Sequence, residues 1–374
     1  MGRRIFCLMV GLCLIWGLEG LAKSLNQIPL ELTTVLAIKE AAGESFSFPL
    51  EVVVNEEGEI YILDTLKAVA FRFDKSGRFL NHIGQPVAQL ETLAEKKKYF
   101  QERGAEAMKS QDVPSLIAPK KICYHQGKIY ILDTRRINIY TQENEFISSI
   151  TLPCLTAEWL FVNKAGEIVV GGLVKNSDKV LHLITSQGQI GESFGEYFGL
   201  PLRDELKAPA ELDPRMVGLP IHCFYSGERD EYYLLSPFAY QVDIYKNQTR
   251  VAQLAQKKNY IGLMGGMVHL DASGRYLGYG RSVMDPPRIF ASNEHIMIFY
   301  LQPKESGSLP GESRKVYQVD LYRDYEYQGT AKLPLEGEPL ALDAAGYIYL
   351  LEKQDSAYVV SKNRLTFGED SSGR

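Results

Sequence analysis

Short hydrophobic runs alternate with polar, glycine-containing turns along most of the chain. Residues 49–84, PLEVVVNEEGEIYILDTLKAVAFRFDKSGRFLNHIG, contain four β-branched, aliphatic or aromatic runs separated by such turns. Runs of about four to eight residues with this turn chemistry are typical of antiparallel strands joined in sequence. The pattern therefore predicts a four-stranded antiparallel sheet.

The same pattern returns several times along the chain. It recurs in residues 119–150, and both copies contain the pentapeptide Tyr-Ile-Leu-Asp-Thr, at 61–65 and 130–134. A looser copy surrounds Gly166, and a last copy surrounds Gly346. One such sheet cannot bury both of its faces, so successive copies are expected to pack radially around a channel. The repeats therefore predict an all-β propeller.

The spacing of the glycine turns sets the number of blades. Gly127 and Gly166 are 39 residues apart, close to the ~40–45 residues of one blade. The other gaps are longer and imply inter-blade insertions, which we place at residues 85–118, 191–220 and 257–287. We predict six blades of four antiparallel strands; seven is the alternative, with residues 269–282 opening an additional blade.

The two ends of the chain suggest how the ring closes. The last copy ends after its third strand, near Phe367, and residues 33–43 (TTVLAIKEAAG) resemble the missing fourth strand. Pairing the two would remove exposed sheet edges that invite aggregation. We predict that the N-terminal strand closes the last blade and that residues 368–374 form a disordered tail.

The Gly-x-Ile-Tyr-Ile-Leu-Asp-Thr pattern of the first two copies resembles the NHL repeat family. The resemblance covers blades 1, 2, 3 and 6 and is poor in blades 4 and 5. It implies a six-bladed propeller, but such repeats specify a fold better than a function.

The N-terminus has the pattern of a secretory signal peptide. Arg3 and Arg4 precede an apolar run at residues 5–18, and Gly20 and Ala22 are small residues before a cleavage site. We predict a signal peptide at residues 1–22 and one mature domain at 23–367, exported to the periplasm or the cell exterior. An uncleaved anchor is the alternative. No later segment is apolar and long enough to span a membrane.

Composition and charge narrow the possible partners. The chain is 45% hydrophobic and 23% charged, as in globular proteins. Without residues 1–22 it has 39 basic and 45 acidic residues, a net charge of −6 that disfavours nucleic acid. The three remaining cysteines, Cys123, Cys154 and Cys223, have no short spacing that suggests a disulfide framework or zinc site. A bridge between Cys123 and Cys154 stays open.

Antiparallel blades place all three insertions, and the loop at 302–314, on one face of the propeller. Loops on a rigid scaffold commonly carry function, so we expect binding at the channel mouth on that face. Our candidate ligand-binding residues are Glu51, Lys121, Arg135, Trp159, His222 and Arg288. Such a mouth would suit a protein, a peptide or a small anionic ligand. The alternative is structural: Glu51 pairs with Lys121 or Arg288, and Trp159 packs between blades.

Six-bladed propellers of similar build include metal-dependent lactonases and amidoglycolate-type lyases. The lactonase resemblance would require asparagine ligands where this chain has Lys121, Trp159, Cys223 and Arg288. The six histidines occupy different strand positions, and the chain has no GxSxG, HExxH or P-loop motif. We therefore predict a binding protein with no cofactor and no metal, and we name no catalytic residue. A hydrolase or lyase acting at the same mouth is the alternative.

Asp64 and Asp133 recur at one place in two copies, which favours a structural role, since a short acceptor can bind backbone N–H groups of a nearby turn.

Overall fold

The computed structural model describes residues 27–86, 115–198, 219–256 without 238, 265–270, 276–282, 287–301, 317–354 without 335, and 357–368. Within these ranges all regular structure is β-strand. The strands form six four-stranded antiparallel sheets, which are the six predicted blades. The seven-bladed alternative is wrong, because residues 265–282 contribute only a two-stranded hairpin.

The first three blades each use four strands that are consecutive in the chain. Their bounds, in chain order, are β4 (Pro49–Val54), β5 (Ile60–Asp64), β6 (Val69–Phe73) and β7 (Phe79–Ile83) in blade 1; β10 (Pro119–His125), β11 (Lys128–Asp133), β12 (Arg136–Thr141) and β13 (Phe146–Thr151) in blade 2; and β14 (Cys154–Val162), β15 (Ile168–Val174), β16 (Lys179–Ile184) and β17 (Ile190–Glu196) in blade 3.

Blades 4 and 5 are built in the same way, and blade 6 takes one strand from the N-terminus. Their bounds are β18 (His222–Ser226), β19 (Glu231–Leu235), β20 (Gln241–Lys246) and β21 (Thr249–Ala255) in blade 4; β24 (Arg288–Ala291), β25 (Ile296–Leu301), β26 (Tyr317–Arg323) and β27 (Glu326–Lys332) in blade 5; and β28 (Glu338–Leu342), β29 (Tyr347–Gln354), β30 (Ala357–Phe367) and β1 (Leu30–Ile38) in blade 6.

Three small pairs accompany the blades. They are the antiparallel pair β2 (Glu40–Ala41) and β3 (Glu44–Ser45), the parallel pair β8 (Gln85–Pro86) and β9 (Ser115–Leu116), and the antiparallel pair β22 (Gly265–Leu270) and β23 (Tyr276–Ser282).

The predicted ring closure is confirmed. β1 runs antiparallel to β30, from Leu30 opposite Phe367 to Ile38 opposite Val360. The register shifts between Thr34 and Leu36, and this irregularity moves the apolar side chains to the other face of the sheet. Before it, Leu30 and Leu32 pack between blades 5 and 6; after it, Leu36 and Ile38 pack between blades 6 and 1.

The hydrophobic core is divided among the blade interfaces. Each neighbouring pair of blades shares one cluster of buried side chains, and the cluster between blades 6 and 1 closes the circle. Blades therefore bury both of their faces against neighbours, as expected for strands that are hydrophobic on both sides.

Alternate strand directions give the propeller two different faces. The insertion face is where each first strand begins, and it receives the inter-blade connections and the loops between second and third strands. The turn face receives the tight turns between first and second strands, where Gly58, Gly127, Gly166 and Gly346 have φ of about +80° as only glycine tolerates easily.

The predicted insertions at 85–118 and 257–287 fall between blades 1 and 2 and between blades 4 and 5. The insertion placed at 191–220 overlaps β17, whose last residue is Glu196, so the connection between blades 3 and 4 is shorter than predicted. The loop at 302–314 lies outside the described residues.

Candidate functional site: the channel mouth

Six residues occupy one equivalent position in the first strands, near the insertion face. Each of the six pairs with a residue at the equivalent position of the second strand. In five blades the side chain of that second-strand residue packs against the following blade; in blade 3 the residue is glycine. The six are Glu51, Lys121, Trp159, His222, Arg288 and Glu338, opposite Leu63, Leu132, Gly171, Leu235, Phe299 and Leu351. Five of them were candidates from the sequence.

The strand pairing fixes this position in blades 4 and 6. In blade 4 it is His222, and not the Cys223 that was compared with a lactonase ligand; in blade 6 it is Glu338, which was not among the candidates. Alignment of Asp343–Tyr349 with Asn55–Tyr61 leads back to Pro339, and the register shift between Pro339 and Ala341 brings Glu338 to this position instead.

Ion pairs join neighbouring blades at the mouth. Glu51 of blade 1 binds Lys121 of blade 2, and Arg288 of blade 5 binds Glu338 of blade 6. Lys120 adds a third pair, from its Nζ to Glu158 Oε1 of blade 3 at 3.0 Å. The two lysines and the arginine are thus matched by three glutamates, as the structural alternative anticipated for Glu51.

Arg288 keeps one donor without a partner. Its Nη2 binds Glu338, while its Nε is buried and has no hydrogen-bond partner among the described residues. A buried N–H that lacks an acceptor is costly, and in native proteins it often marks the place of a water or ligand.

His222 is buried and stays neutral. Burial, reinforced by Arg288 and Lys121, holds the pKa of its imidazole well below the usual range. Its Nδ1 accepts the backbone N–H of Ile289 at 3.3 Å, so the proton of the neutral ring resides on Nε2. The equivalent first-strand positions at the mouth therefore include a neutral histidine N–H donor as well as two cationic side chains.

Trp159 packs between blades 3 and 4, as the structural alternative proposed. It is 5% exposed and belongs to the cluster that joins the two blades. The indole needs glycine opposite it, since a Cβ on Gly171 would approach Trp159 Cε3 to 2.9 Å. Trp159 is therefore a packing residue of the interface between blades 3 and 4.

Arg135 lies apart from the first-strand positions. It is exposed, in the loop between the second and third strands of blade 2, and its carbonyl accepts the N–H of Leu152 at 2.8 Å. Its place on the insertion face agrees with the topology expected from the sequence.

Asp64 and Asp133 have the structural role expected of them. Asp64 accepts backbone N–H groups from Ser47 at 2.7 Å, Phe48 at 3.1 Å and Lys67 at 3.0 Å. Asp133 accepts those of Ile117 and Ala118 at 3.0 and 2.7 Å. Each carboxylate thus anchors the chain that enters the first strand of its own blade. Burial raises the pKa of Asp133 despite the neighbouring Arg136 guanidinium.

The three described cysteines are free thiols. Burial raises the pKa of Cys123 to about 12 and that of Cys154 to about 11, so both are protonated near neutral pH. The Cys123 thiol donates to the Leu160 carbonyl at 2.9 Å, and both side chains pack in the interface of blades 2 and 3.

Metal-ligand clusters and membrane-spanning helices are both absent from the ranges that the structure describes. No three side chains of the His, Cys, Asp or Glu type come together there as a metal site. Within the same ranges there is no helix that could reach across the apolar interior of a bilayer.

Comparison with solved structures supports the architecture. A member of the DUF4221 family from Bacteroides vulgatus matches with a TM-score of 0.58 and 12% identity, over 92% of this chain and 100% of that chain. A Bacteroides fragilis protein described as exported matches with a TM-score of 0.55 and 12% identity, over 92% and 96%. A virginiamycin B lyase from Staphylococcus aureus has a TM-score of 0.43 and 10% identity, over 91% and 100%.

At these identities the likeness establishes the fold alone, which is that of a six-bladed β-propeller. No family model matches the chain, and no curated protein matches it. Membership of the NHL family therefore stays a prediction, as does the hydrolase or lyase alternative.

Proposed function

We propose that this chain is an exported binding protein whose channel mouth, on the insertion face, takes a carboxylate or similar anionic group of a peptide or small ligand. The observation that carries the proposal is the buried Arg288 Nε without an acceptor. Lys121 of blade 2 and the Nε2–H of neutral His222 of blade 4 supply further donors at the equivalent first-strand position.

The glutamates of the mouth are compatible with such a ligand. Glu338 and Glu51 hold Arg288 and Lys121 in place, and side-chain exposures of 13% and 14% leave both cations partly desolvated. A bound carboxylate would complete the hydrogen bonds of the guanidinium, which presents several donors in a fixed plane.

Ligand binding can be tested with defined carboxylates. We would measure binding of acetate, succinate, D-galacturonate and a C-terminal dipeptide by ligand-observed NMR, with the corresponding amides as neutral comparisons. Arg288→Gln should weaken carboxylate binding by about tenfold or more, a loss of about 1.4 kcal/mol. Arg250→Gln, which removes a half-exposed arginine from the outer strand β21, serves as the matched control. Equal binding by Arg288→Gln and the wild type would refute the proposed site.

Export is supported by the N-terminal pattern and by the position of the closing strand. Cleavage before Lys23 would leave β1 complete, because β1 begins at Leu30. N-terminal sequencing of the mature protein should return Lys23 as the first residue. A chain that retains its first 22 residues and fractionates with membranes would instead support the uncleaved anchor.

A further inference from the structure

A second cleft lies on the turn face, between blades 3 and 4. Its volume is about 180 Å³, and its polar wall contains Asn163 and Glu167 of blade 3 and Asp230, Asn247 and Gln248 of blade 4. It is separate from the mouth, which lies at the opposite end of the first strands.

The internal repeat explains why space exists here. In blade 1, the Asn55 side chain binds Glu59 Oε2 at 2.9 Å and accepts the Glu59 N–H at 2.8 Å. Blade 3 repeats this turn, with Asn163 binding Glu167 Oε2 at 2.8 Å and accepting the Glu167 N–H at 2.9 Å. The two glutamates are therefore equivalent.

The residues that follow the two glutamates differ. Blade 1 has Tyr61, whose hydroxyl donates to Glu59 at 3.1 Å, and opposite it Arg72, whose Nη2 lies 2.8 Å from Glu59 Oε1. Blade 3 has Val169 and, opposite it, Leu183. These shorter side chains line the cleft that a phenol and a guanidinium fill in blade 1.

Blades 4 and 6 have the same tyrosine-to-carboxylate hydrogen bond as blade 1. In blade 4, Tyr233 donates to Glu231 at 2.5 Å. In blade 6, Tyr349 donates to Asp343 at 3.1 Å, and the Lys362 ammonium lies 3.3 Å from the same carboxylate. In blades 1, 4 and 6 a tyrosine hydroxyl therefore donates to a carboxylate at this position, and a cationic side chain lies within about 4 Å of that carboxylate.

The wall facing Glu167 is also acidic and is held in place. Asp230 accepts the Tyr225 hydroxyl at 2.6 Å, and that hydroxyl accepts the Lys164 N–H at 3.0 Å, which ties the turns of blades 3 and 4 together. The bottom contains the aromatic rings of Phe194 and Tyr232, 5.2 Å apart. Two carboxylates over aromatic and aliphatic side chains suit a cation with an apolar body.

We propose that the cleft between blades 3 and 4 binds an organic cation with a flat apolar portion, in the place that a tyrosine and a basic side chain occupy in blade 1. The cation would be either a free arylalkylamine or guanidine, or the arginine side chain of a peptide. Both sources share the charge and shape that Glu167, Asp230 and the apolar bottom recognise.

The test measures binding to the purified protein by calorimetry and ligand-observed NMR. The cationic probes are tyramine, agmatine and N-acetylargininamide; benzyl alcohol and methyl α-glucoside are the neutral probes. Val169→Tyr should abolish binding, because it rebuilds the blade 1 arrangement with Glu167 as the acceptor. Glu167→Gln, which preserves side-chain size in an exposed turn, should weaken binding by about five- to tenfold. Glu192→Gln removes a charge elsewhere in blade 3 and should leave binding within about twofold.

The outcomes separate the possibilities. Preference for N-acetylargininamide would identify a peptide side chain as the source, and preference for tyramine or agmatine a free amine. Absence of binding by all three cations at about 10 mM, or binding unchanged in both Glu167→Gln and Val169→Tyr, would overturn the proposal. Binding of methyl α-glucoside alone would also overturn it, in favour of a neutral polyol site. The mouth variant Arg288→Gln should have no effect on this cleft.

Discussion

Replacement of Asp64 by alanine should destabilise the propeller strongly. Asp64 is fully buried, and its carboxylate accepts three backbone N–H groups, two of them from the segment that leads into β4. A hydrogen bond to a charged group contributes about 1.5–3 kcal/mol, and a buried N–H left without an acceptor costs a similar amount. Part of the loss is recovered because the three donors belong to half-buried residues that water can reach. We expect Asp64→Ala to lower the free energy of unfolding by about 4 kcal/mol.

Two variants calibrate this prediction. Asp64→Asn keeps one acceptor oxygen, which can serve Phe48 and Lys67, but its amide N–H would face the Ser47 donor. It should therefore lose about half as much as alanine. Asp74 accepts the N–H groups of Ser76 and Arg78 in an exposed turn, where water can replace it. Asp74→Ala should shift the unfolding midpoint far less than Asp64→Ala.

The assay is urea unfolding followed by circular dichroism and by tryptophan fluorescence. Without residues 1–22, Trp159 is the single tryptophan, and it is buried between blades 3 and 4. Coincident transitions from the two probes would mean that the ring unfolds as one unit. Equal midpoints for Asp64→Ala and Asp74→Ala would refute the structural role assigned to the carboxylate.

Three further predictions concern pH, packing and backbone strain. His182 is fully buried with a pKa lowered to about 4 by desolvation, so the unfolded chain binds more protons between pH 6.5 and 4. Stability should therefore fall by about 2 kcal/mol between pH 7 and pH 5 from this residue, and urea titrations of His182→Gln should show a flatter pH profile. A Cβ on Gly172 would lie 2.1 Å from the Thr156 carbonyl oxygen, so Gly172→Ala should cost about 3 kcal/mol or more. The matched Gly191→Ala has only ordinary contacts, and similar thermal midpoints for the two would contradict this reasoning. Gln248 has a φ of +63°, so Gln248→Gly should raise stability by about 0.5–1 kcal/mol, and a lower denaturation midpoint would argue against strain in this turn.

Local patterns were enough to predict the blades and their closure. The glycine turns, the two copies of Tyr-Ile-Leu-Asp-Thr and the apolar segment before Gly43 each indicate strands and turns without reference to the rest of the chain. Blade register was harder to predict where a turn lacks its glycine or a first strand contains a bulge. Blade 4 enters β19 through Asp230, whose φ is +56°, and the first strand of blade 6 has a register shift between Pro339 and Ala341.

The candidate site was only partly predictable. Five of the six first-strand positions were named from the sequence, because they follow from counting along repeats. The ion pairs among them could not be predicted, because the partner of each charged residue comes from a neighbouring blade. Glu51 and Lys121 are 70 residues apart in the chain, and Arg288 and Glu338 are 50 apart. The cleft on the turn face was missed because nothing local distinguishes Val169 from any other strand valine.

The two identical pentapeptides show where local information ends. In both, the sequence alone determines a buried strand that finishes in a carboxylate, and Asp64 and Asp133 hold the same part of their blades. The threonines behave differently: Thr65 donates to the Pro119 carbonyl of the next blade, whereas Thr134 has a φ of +59° and binds the carbonyl of Asp133. The tertiary structure decides this, because blade 1 turns through residues 65–68 and blade 2 through only 134–135. Strand formation depends on neighbours in the chain, but a loop's contacts, like the charges of the mouth, depend on which blade packs beside it.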